Sequence, residues 1–462
     1  MADDNTASSH RWLILAAVGL GVSVGPLDTS VNIAFPAIAD AFAIPVKDIQ
    51  WVVICYVLTY ASLLLGFGRL GDFAGHRRIF VFGLLVGIAG FIACSLADDL
   101  TTLFIARSLQ GVGAALVLGT GPALATLSFP ESERAKIIGI YTMLFAASAA
   151  SGPLIGGALV ATWGWSAVFW FRIPISILAL TLVALWVRPP AVRERARFDL
   201  QGAVAVALAA ASVLYAINRW QHLGLSPVTF AALAVGLLSV GYLVVQQRGS
   251  EAPLIPFEAL KRPPFLFSNV AHALAQMASF SVLLVGPFYI VSYLNLGALV
   301  GGLMLAVSPI GSALAAPIGA RLVATWGANR VGLLGLAFTS LGLGGAAWSV
   351  GPGGVGSVAL CFFLQGIGLG LFQVANMDYV MGSLPRTSQG VAGSLTMLMR
   401  TIGVVTAAGG WALLYEYFKR TSDASDPLVD AFRGTFVAAG LVALIGFALI
   451  ALSSWHQRRL SR

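Results

Sequence analysis

Several polar and charged residues stand inside long apolar stretches, where such groups are expensive and mark function. Asp28 and Asn32 lie in Leu27-Asp28-Thr29-Ser30-Val31-Asn32-Ile33-Ala34-Phe35-Pro36. Their i, i+4 spacing places both on one helix face. A carboxylate near mid-membrane suits proton exchange or substrate binding. The structural alternative is a permanent ion pair with Arg107, which opens Arg107-Ser108-Leu109-Gln110-Gly111-Val112-Gly113. His272 and Gln276 repeat the i, i+4 spacing, and Asn376 and Asp378 precede Pro385 by less than three helical turns. These five polar residues, Asn32, His272, Gln276, Asn376 and Asp378, are the candidate substrate-cavity groups. At its depth Asp378 could also simply reach water. Arg400 lies deep in a late apolar stretch and needs a partner, for which Asp378 is available; it reads as a structural charge. Arg172 follows Trp163, Trp165 and Trp170, an interfacial aromatic cluster, and reads as a structural charge snorkelling to an outer rim. No nucleophile with its base, no H-E-x-x-H and no P-loop accompanies these residues, so neither an enzyme nor an ATP-driven pump is expected. Cys55, Cys94 and Cys361 lack metal-ligand spacing, and no metal or cofactor is expected.

The elements that hold these residues must be membrane helices. Of 462 residues, 58% are hydrophobic and 10% charged, against about 25% charged in soluble domains; the mean hydropathy is +0.88. A helix needs roughly 20 apolar residues to cross the hydrocarbon core. Such stretches centre near Leu20, Leu58, Gly87, Ala115, Phe145, Leu178, Ala209, Leu237, Ser281, Gly311, Leu341, Leu369, Gly403 and Leu444, which predicts fourteen spans. The first, running on past Asp28, is too long for a signal-peptide core. Most of the 27 Lys and Arg residues fall on one side if the N-terminus is cytoplasmic. By the positive-inside rule both termini are then cytoplasmic. The net charge of +8 resides in short loops between apolar segments, which excludes a nucleic-acid partner and leaves the bilayer.

The chain repeats itself. Arg69-Leu70, Gly75 and Arg78 recur as Arg321-Leu322, Gly327 and Arg330 at an offset of 252. Gln110-Gly111-Val112-Gly113 recurs as Gln365-Gly366-Ile367-Gly368, and Pro130 as Pro385, at an offset of 255. Two six-helix halves are expected, residues 1–188 and 258–462, with two extra spans and their cytoplasmic linkers over 189–257. Internal repeats with a site at their interface are the usual plan of secondary transporters.

The motifs then carry a resemblance. Gly68-Arg69-Leu70-Gly71-Asp72-Phe73-Ala74-Gly75-His76-Arg77-Arg78 resembles the loop motif G-x-L-a-D-r-x-G-r-k of the major facilitator superfamily, departing at Phe73 and His76. A glycine turn there presents Asp72 and arginines, so Gly68, Arg69, Asp72, Gly75, Arg77 and Arg78 read as a conformational latch or as plain positive-inside anchoring. The segment around Arg107 is similar to the family's buried-arginine motif, which implies a part for Arg107 in proton coupling. Ser151-Gly152-Pro153-Leu154-Ile155-Gly156-Gly157 resembles the antiporter motif g-x-x-x-G-P-x-x-G-G, which implies export; Gly152, Pro153, Gly156 and Gly157 would bend the helix and admit a close neighbour. The Asp28 segment resembles the signature L-D-x-T-x-x-N-x-A-x-P of the fourteen-span drug:proton antiporters, one residue shorter between Asp and Asn. Arg172 stands where that family commonly has Asn, a departure that puts organic-cation cargo in doubt. The resemblance covers essentially the whole chain. It implies an all-α integral membrane protein of major facilitator fold. It further implies a plasma-membrane protein, of a bacterial inner membrane, acting as a monomer. That protein exports hydrophobic or amphipathic small molecules in exchange for protons, with no cofactor beyond the proton gradient. An importer or lipid mover on the same fold, or a non-transporting receptor, is the alternative.

Overall fold

A computed structural model describes residues 2–126, 129–130, 134–187, 226–247, 261–351, 354–383, 389–422 and 426–460, with scattered positions over 201–216. The described secondary structure is helical: α1 (Ala2–Ser23), a 3-10 turn (Pro26–Thr29), α2 (Ser30–Ile33), α3 (Phe35–Ala41), α4 (Val46–Ala74), α5 (His76–Ser95) and α6 (Leu100–Thr126). There follow α7 (Arg134–Trp163), α8 (Ala167–Trp170), α9 (Arg172–Trp186), α10 (Pro227–Gln247), α11 (Pro263–Pro287) and a π-helical turn (Phe288–Tyr293). The chain ends with α12 (Ala298–Trp326), α13 (Ala328–Ser349), α14 (Val355–Gly382), α15 (Gln389–Thr421) and α16 (Pro427–Leu460). Ten helices among the described residues are long and apolar enough to cross a membrane, and two shorter apolar helices, Asp48–Leu64 and Pro227–Tyr242, accompany them. A helix runs through every predicted span centre except that near Ala209, which lies largely outside the described residues. The linkers on either side of the extra spans also lie outside them. Large apolar side chains such as Leu185, Leu237, Leu341 and Trp348 stay exposed, as lipid-facing positions require.

The chain divides into two compact units. One comprises Met1–Ala43, Trp51–Val213 and Ala231–Leu243, the other Ile44–Gln50, Leu214–Phe230 and Val244–Arg462. In the first, Val18, Phe80, Leu84, Val117, Ala179 and Val183 pack α1, α5, α6 and α9 around one core. In the second, Ala271, Ala275, Leu336, Phe372 and Ile450 join α11, α13, α14 and α16.

The repeat found in the sequence has two physical causes. The first is backbone conformation: Gly75 (φ 97°) and Gly327 (φ 81°) precede α5 and α13 with positive φ, a region that L side chains avoid. A Cβ added at Gly327 would meet nothing within 4 Å. With φ 81° and ψ 154°, Gly327→Ala should cost backbone strain alone, about 1–3 kcal/mol, read as a lowered unfolding midpoint with unchanged helix content. The second is close helix crossing. A Cβ on Gly113 would come within 2.6 Å of the Gly87 backbone nitrogen, and one on Gly368 would run into Thr339. Without a hydrophobic drive between helices in lipid, such close approach is what packing relies on. Local capping also follows from sequence. Asp99 stands just before α6, and its carboxylate accepts from the Thr102 backbone N–H at 2.9 Å and from the Thr102 hydroxyl at 2.6 Å. Those bonds hold the Asp99 carboxyl below the usual carboxylate range and satisfy orphan donors at the helix start.

Candidate functional site

The site begins with a break in the first span. Proline has no N–H and fixes its own φ, so Pro26 ends the regular helix and opens the 3-10 turn. That turn carries Asp28, and Asn32 falls on the separate short α2. The two residues therefore do not share one regular α-helix face, as their spacing had suggested, although Asn32 is buried.

Two helices, α6 and α9, supply the donors around Asp28. Arg107, from α6, donates Nη1 to Asp28 Oδ1 at 2.7 Å and Nη2 to Oδ2 at 2.8 Å. This fork-to-fork geometry is among the stronger hydrogen-bonded pairings available to side chains. Arg172, from the start of α9, donates Nη1 to Asp28 Oδ1 at 2.8 Å, and Gln110 adds Nε2 to the same oxygen at 2.9 Å. The arginines are themselves fixed. Arg107 Nε donates to the Val52 carbonyl at 2.7 Å and Nη1 to Gln110 Oε1 at 2.7 Å; Arg172 Nε donates to the Val168 carbonyl at 2.9 Å. Tyr56 lies 4.5 Å from the Arg107 guanidinium and Phe91 4.8 Å from that of Arg172, adding cation–π contacts. Arg107 is 1% exposed, Arg172 0% and the Asp28 side chain 15%.

The outer-rim role expected of Arg172 is thus corrected. α8 and α9 are joined through Phe171, itself in helical conformation, and Arg172, the first residue of α9, reaches inward to Asp28 instead of outward to the interface. A half-buried carboxylate inside the unit supplies what a guanidinium otherwise seeks in headgroups or water. Gln110 is the member that sequence reasoning passed over. Its recurrence as Gln365 was the available signal: Gln365 Nε2 donates to the Ser279 hydroxyl at 2.9 Å, while its Oε1 accepts from the Ser308 hydroxyl at 2.6 Å. The same residue thus organises a charged network in one unit and a neutral one in the other.

The glycine–proline element packs directly on this break. The Thr29 hydroxyl donates to the Ala149 carbonyl of α7 at 2.9 Å. A Cβ on Gly152 would collide with Thr29 Oγ1, and one on Gly156 would stand 2.6 Å from the Ser30 carbonyl oxygen. Pro153 lies inside α7 between these glycines. The segment expected as a glycine-turn loop is helical as far as Ala74, and Gly68, inside the end of α4, approaches the Gly119 carbonyl oxygen of α6. Arg77 Nη2 donates to the Ala184 carbonyl at 2.8 Å, in the last turn of α9, where a cation also suits the helix dipole. Arg78 is exposed, and the side chains of Arg69 and Asp72 lie outside the described residues.

In the other unit His272, Gln276 and Asn376 are buried, and the Ser268 hydroxyl donates to Asn376 Oδ1 at 2.7 Å. His272 stacks on Phe372 with centroids 6.1 Å apart. Asp378 is exposed, and no ion pair joins it to Arg400 among the described residues. The pairing anticipated for those two is not formed, because Asp378 points away from the buried face that holds Asn376. Among the described residues no group of three or more His, Cys, Asp or Glu could hold a metal ion.

The chain matches the Major Facilitator Superfamily over residues 12–408 and again over 269–461. It belongs to that superfamily. Members of the superfamily similar to it include the riboflavin transporter RibZ of Clostridioides difficile, 29% identical over 95% of this chain and 97% of that one. The tetracenomycin C resistance and export protein of Streptomyces glaucescens is 31% identical over 85% of this chain and 73% of its own. The multidrug efflux pump LfrA of Mycolicibacterium smegmatis is 28% identical over 90% and 82%. In fold, the chain resembles a bacterial homologue of the lysosomal transporter Spinster, with a TM-score of 0.71 at 15% identity over 96% of this chain and 97% of that one. This superfamily protein is therefore a membrane transporter, and several of its relatives are drug-resistance proteins.

Proposed function

We propose that the chain is a proton-coupled exporter of hydrophobic or amphipathic small molecules, working by alternating access. The observation that carries this reading is the buried Asp28–Arg107–Arg172 cluster at a broken span, with the glycine–proline element of α7 packed against it. We place the protein in the fourteen-span drug:proton antiporter branch, in a plasma membrane with both termini cytoplasmic, acting as a monomer on cargo and protons. The names of two relatives, an antibiotic export protein and a multidrug efflux pump, support the direction and cargo class.

The coupling we assign to Asp28 and Arg107 is mechanical as well as electrostatic. A proton taken by Asp28 cancels the charge that holds two guanidiniums to the turn. Proton uptake and release of that turn from α6 and α9 then become one event. Alternating access requires such a two-state element, biased by each ligand. Asn32, His272, Gln276 and Asn376 are the proposed cargo contacts; Gly68, Gly75, Arg77 and Arg78, with Arg69 and Asp72, form the proposed latch. Asp378, being exposed, keeps only the role of a cavity-rim charge in this scheme. Arg400 remains a structural charge.

A second reading has its own support. RibZ, similar over nearly the full length of both chains, is named a riboflavin transporter, so riboflavin belongs in any cargo screen and inward movement would favour an importer.

The test is proton flux in proteoliposomes carrying an internal pH dye, with candidate compounds added outside. Wild type should show cargo-triggered flux. The double variant Asp28→Asn, Arg172→Gln, which lacks the carboxylate but also removes one guanidinium, should remain monodisperse and lose about a hundredfold of it or more, the lower end of a typical proton-transfer contribution. Equal flux in both proteins would remove Asp28 from the coupling.

A further inference from the structure

The second unit holds a polar cluster of its own, and the register of three helices brings it together. The Ser268 hydroxyl of α11 bonds Asn376 of α14, and one turn along each helix His272 stacks on Phe372. The two helices run antiparallel along this seam. On the other flank, a Cβ on Gly403 of α15 would run into the Ala273 carbonyl and stand 2.9 Å from Gln276 Cβ. Further on, Trp411 Nε1 donates to the Met277 carbonyl at 2.7 Å. These contacts advance together, so α15 runs parallel to α11. Arg400, one turn before Gly403 and on the same face of α15, falls beside the turn of α11 that holds Asn269 and His272. At roughly 100° per residue, Asn269, His272 and Gln276 share an arc of about 60° on α11. That arc lies between the side that meets α14 and the side that meets α15.

The wedge so formed is short of partners. Asn269 Oδ1, His272 Nδ1, Gln276 Nε2 and Asn376 Nδ2 are buried and have no hydrogen-bond partner among the described residues. Their side chains are 6% exposed or less. Arg400 is half-buried and forms no ion pair among the described residues. Unmade hydrogen bonds at this density are costly and ask for an explanation. The free groups lean toward donation: Gln276 Nε2, Asn376 Nδ2 and the guanidinium donate, Asn269 Oδ1 accepts, and His272 Nδ1 takes either role. No acid offsets them. α11 contains no Asp or Glu; α14 has Asp378 and α15 has Glu416. Asp378 is exposed and stands about 200° round α14 from Asn376, and Glu416 lies roughly four turns beyond Arg400.

We infer that the wedge between α11, α14 and α15 binds the anionic end of the cargo, a carboxylate seated on the Arg400 guanidinium and bonded by the amides of Gln276 and Asn376. The inference rests on the reading of His272, Gln276 and Asn376 as cargo contacts, and it makes the amphipathic cargo an organic acid. A planar monoanion matches the guanidinium fork. A doubly charged phosphate would bring a charge that nothing in the wedge balances. Arg400 thereby gains a duty beyond that of a structural charge.

The test needs no proton gradient, so it fails or succeeds independently of the flux measurement. The purified full chain in detergent, near neutral pH and at constant ionic strength, is heated with 2-naphthoate, 2-naphthalenemethanol or 2-naphthylmethylammonium, which share a ring system and differ in head charge. A ligand of the folded state raises the unfolding midpoint with its concentration. The naphthoate should do so saturably, and the alcohol and the ammonium compound should not. Arg400→Gln should weaken the apparent affinity at least about tenfold, the loss expected of a hydrogen bond to a charged group, and Arg400→Lys should recover part of it. Asn376→Asp guards against a mere folding defect. It keeps an acceptor for Ser268 and gives Arg400 an internal carboxylate, so it should abolish the naphthoate response while leaving the ligand-free midpoint at or above that of wild type. A midpoint raised by the ammonium compound instead would overturn the anionic head and leave the wedge as a cargo site. No response to any of the three would overturn both, with proton flux still free to report export through other contacts. A naphthoate response undiminished in Arg400→Gln and Asn376→Asp would overturn the proposal too, by placing the acid elsewhere.

Discussion

Asp28→Asn should destabilise the protein by about 3–5 kcal/mol, the range for breaking a buried ion pair from one side. The size follows from what is left behind. Both guanidiniums are buried, and each has Asp28 as its carboxylate partner. An amide can still accept a hydrogen bond but offers no charge to offset either cation. The reciprocal control separates charge from geometry. Adding Arg172→Gln to Asp28→Asn removes one of the stranded cations, so the double variant should be more stable than Asp28→Asn alone. Non-additivity of this sign is expected of residues in one network. Unfolding midpoints of the purified proteins, followed by loss of helical signal or by accessibility of a buried cysteine, give the comparison; Cys94 is buried. An Asp28→Asn protein as stable as wild type would mean that the cluster carries little folding energy.

Gly156→Val is expected to be nearly as damaging, for a steric reason. The Cβ alone would sit 2.6 Å from the Ser30 carbonyl oxygen and 2.9 Å from its Cα. Both are backbone atoms, so no side-chain rotation relieves the clash. Either α7 moves away or the segment after the 3-10 turn does, and Asp28 is two residues from Ser30. Overpacking of this kind costs about 1–3 kcal/mol, and the shift should lower cargo transport at least about tenfold, since misplacement of about 1 Å is enough for such losses. Gly241→Ala in α10 is the matching control: nothing lies within 4 Å of its added Cβ, and alanine is the better helix former. Normal stability and transport in Gly156→Val would show that α7 does not need that close approach.

The two substitutions address different parts of one design. The break at Pro26 takes backbone out of regular helix at membrane depth, which is tolerated only where protein buries it. Here α7 covers the break through its glycines, while α6 and α9 supply the arginines that satisfy Asp28. The same features that make the turn tolerable also make it sensitive, since helix position, ion pairing and hydrogen bonding change together there.

Much of this was legible in the sequence. The density of apolar residues settles a membrane protein, because so few charges cannot cover a water-facing surface. The offset repeat announced two related halves, since Gly75 and Gly327 both require positive φ and the Gln-Gly-x-Gly segments both need close helix crossing. Asp28 and Arg107 stood out for the same reason: a charge inside a span needs a partner. Tertiary structure alone decided which partner each charge found. Arg172 and Asp28 are far apart in sequence, and a guanidinium on a long flexible stem can reach a rim or a buried carboxylate equally well from local sequence. Only the helix face that Arg172 occupies once α9 is packed against α1 and α5 selects the inward route. The same holds for Asp378 and Arg400, whose pairing was plausible by depth alone and is absent because depth does not fix the face a side chain occupies. Periodicity and composition act along the chain and are therefore written in it; the sign of a buried cluster is a sum over helices, and it exists only once they are packed.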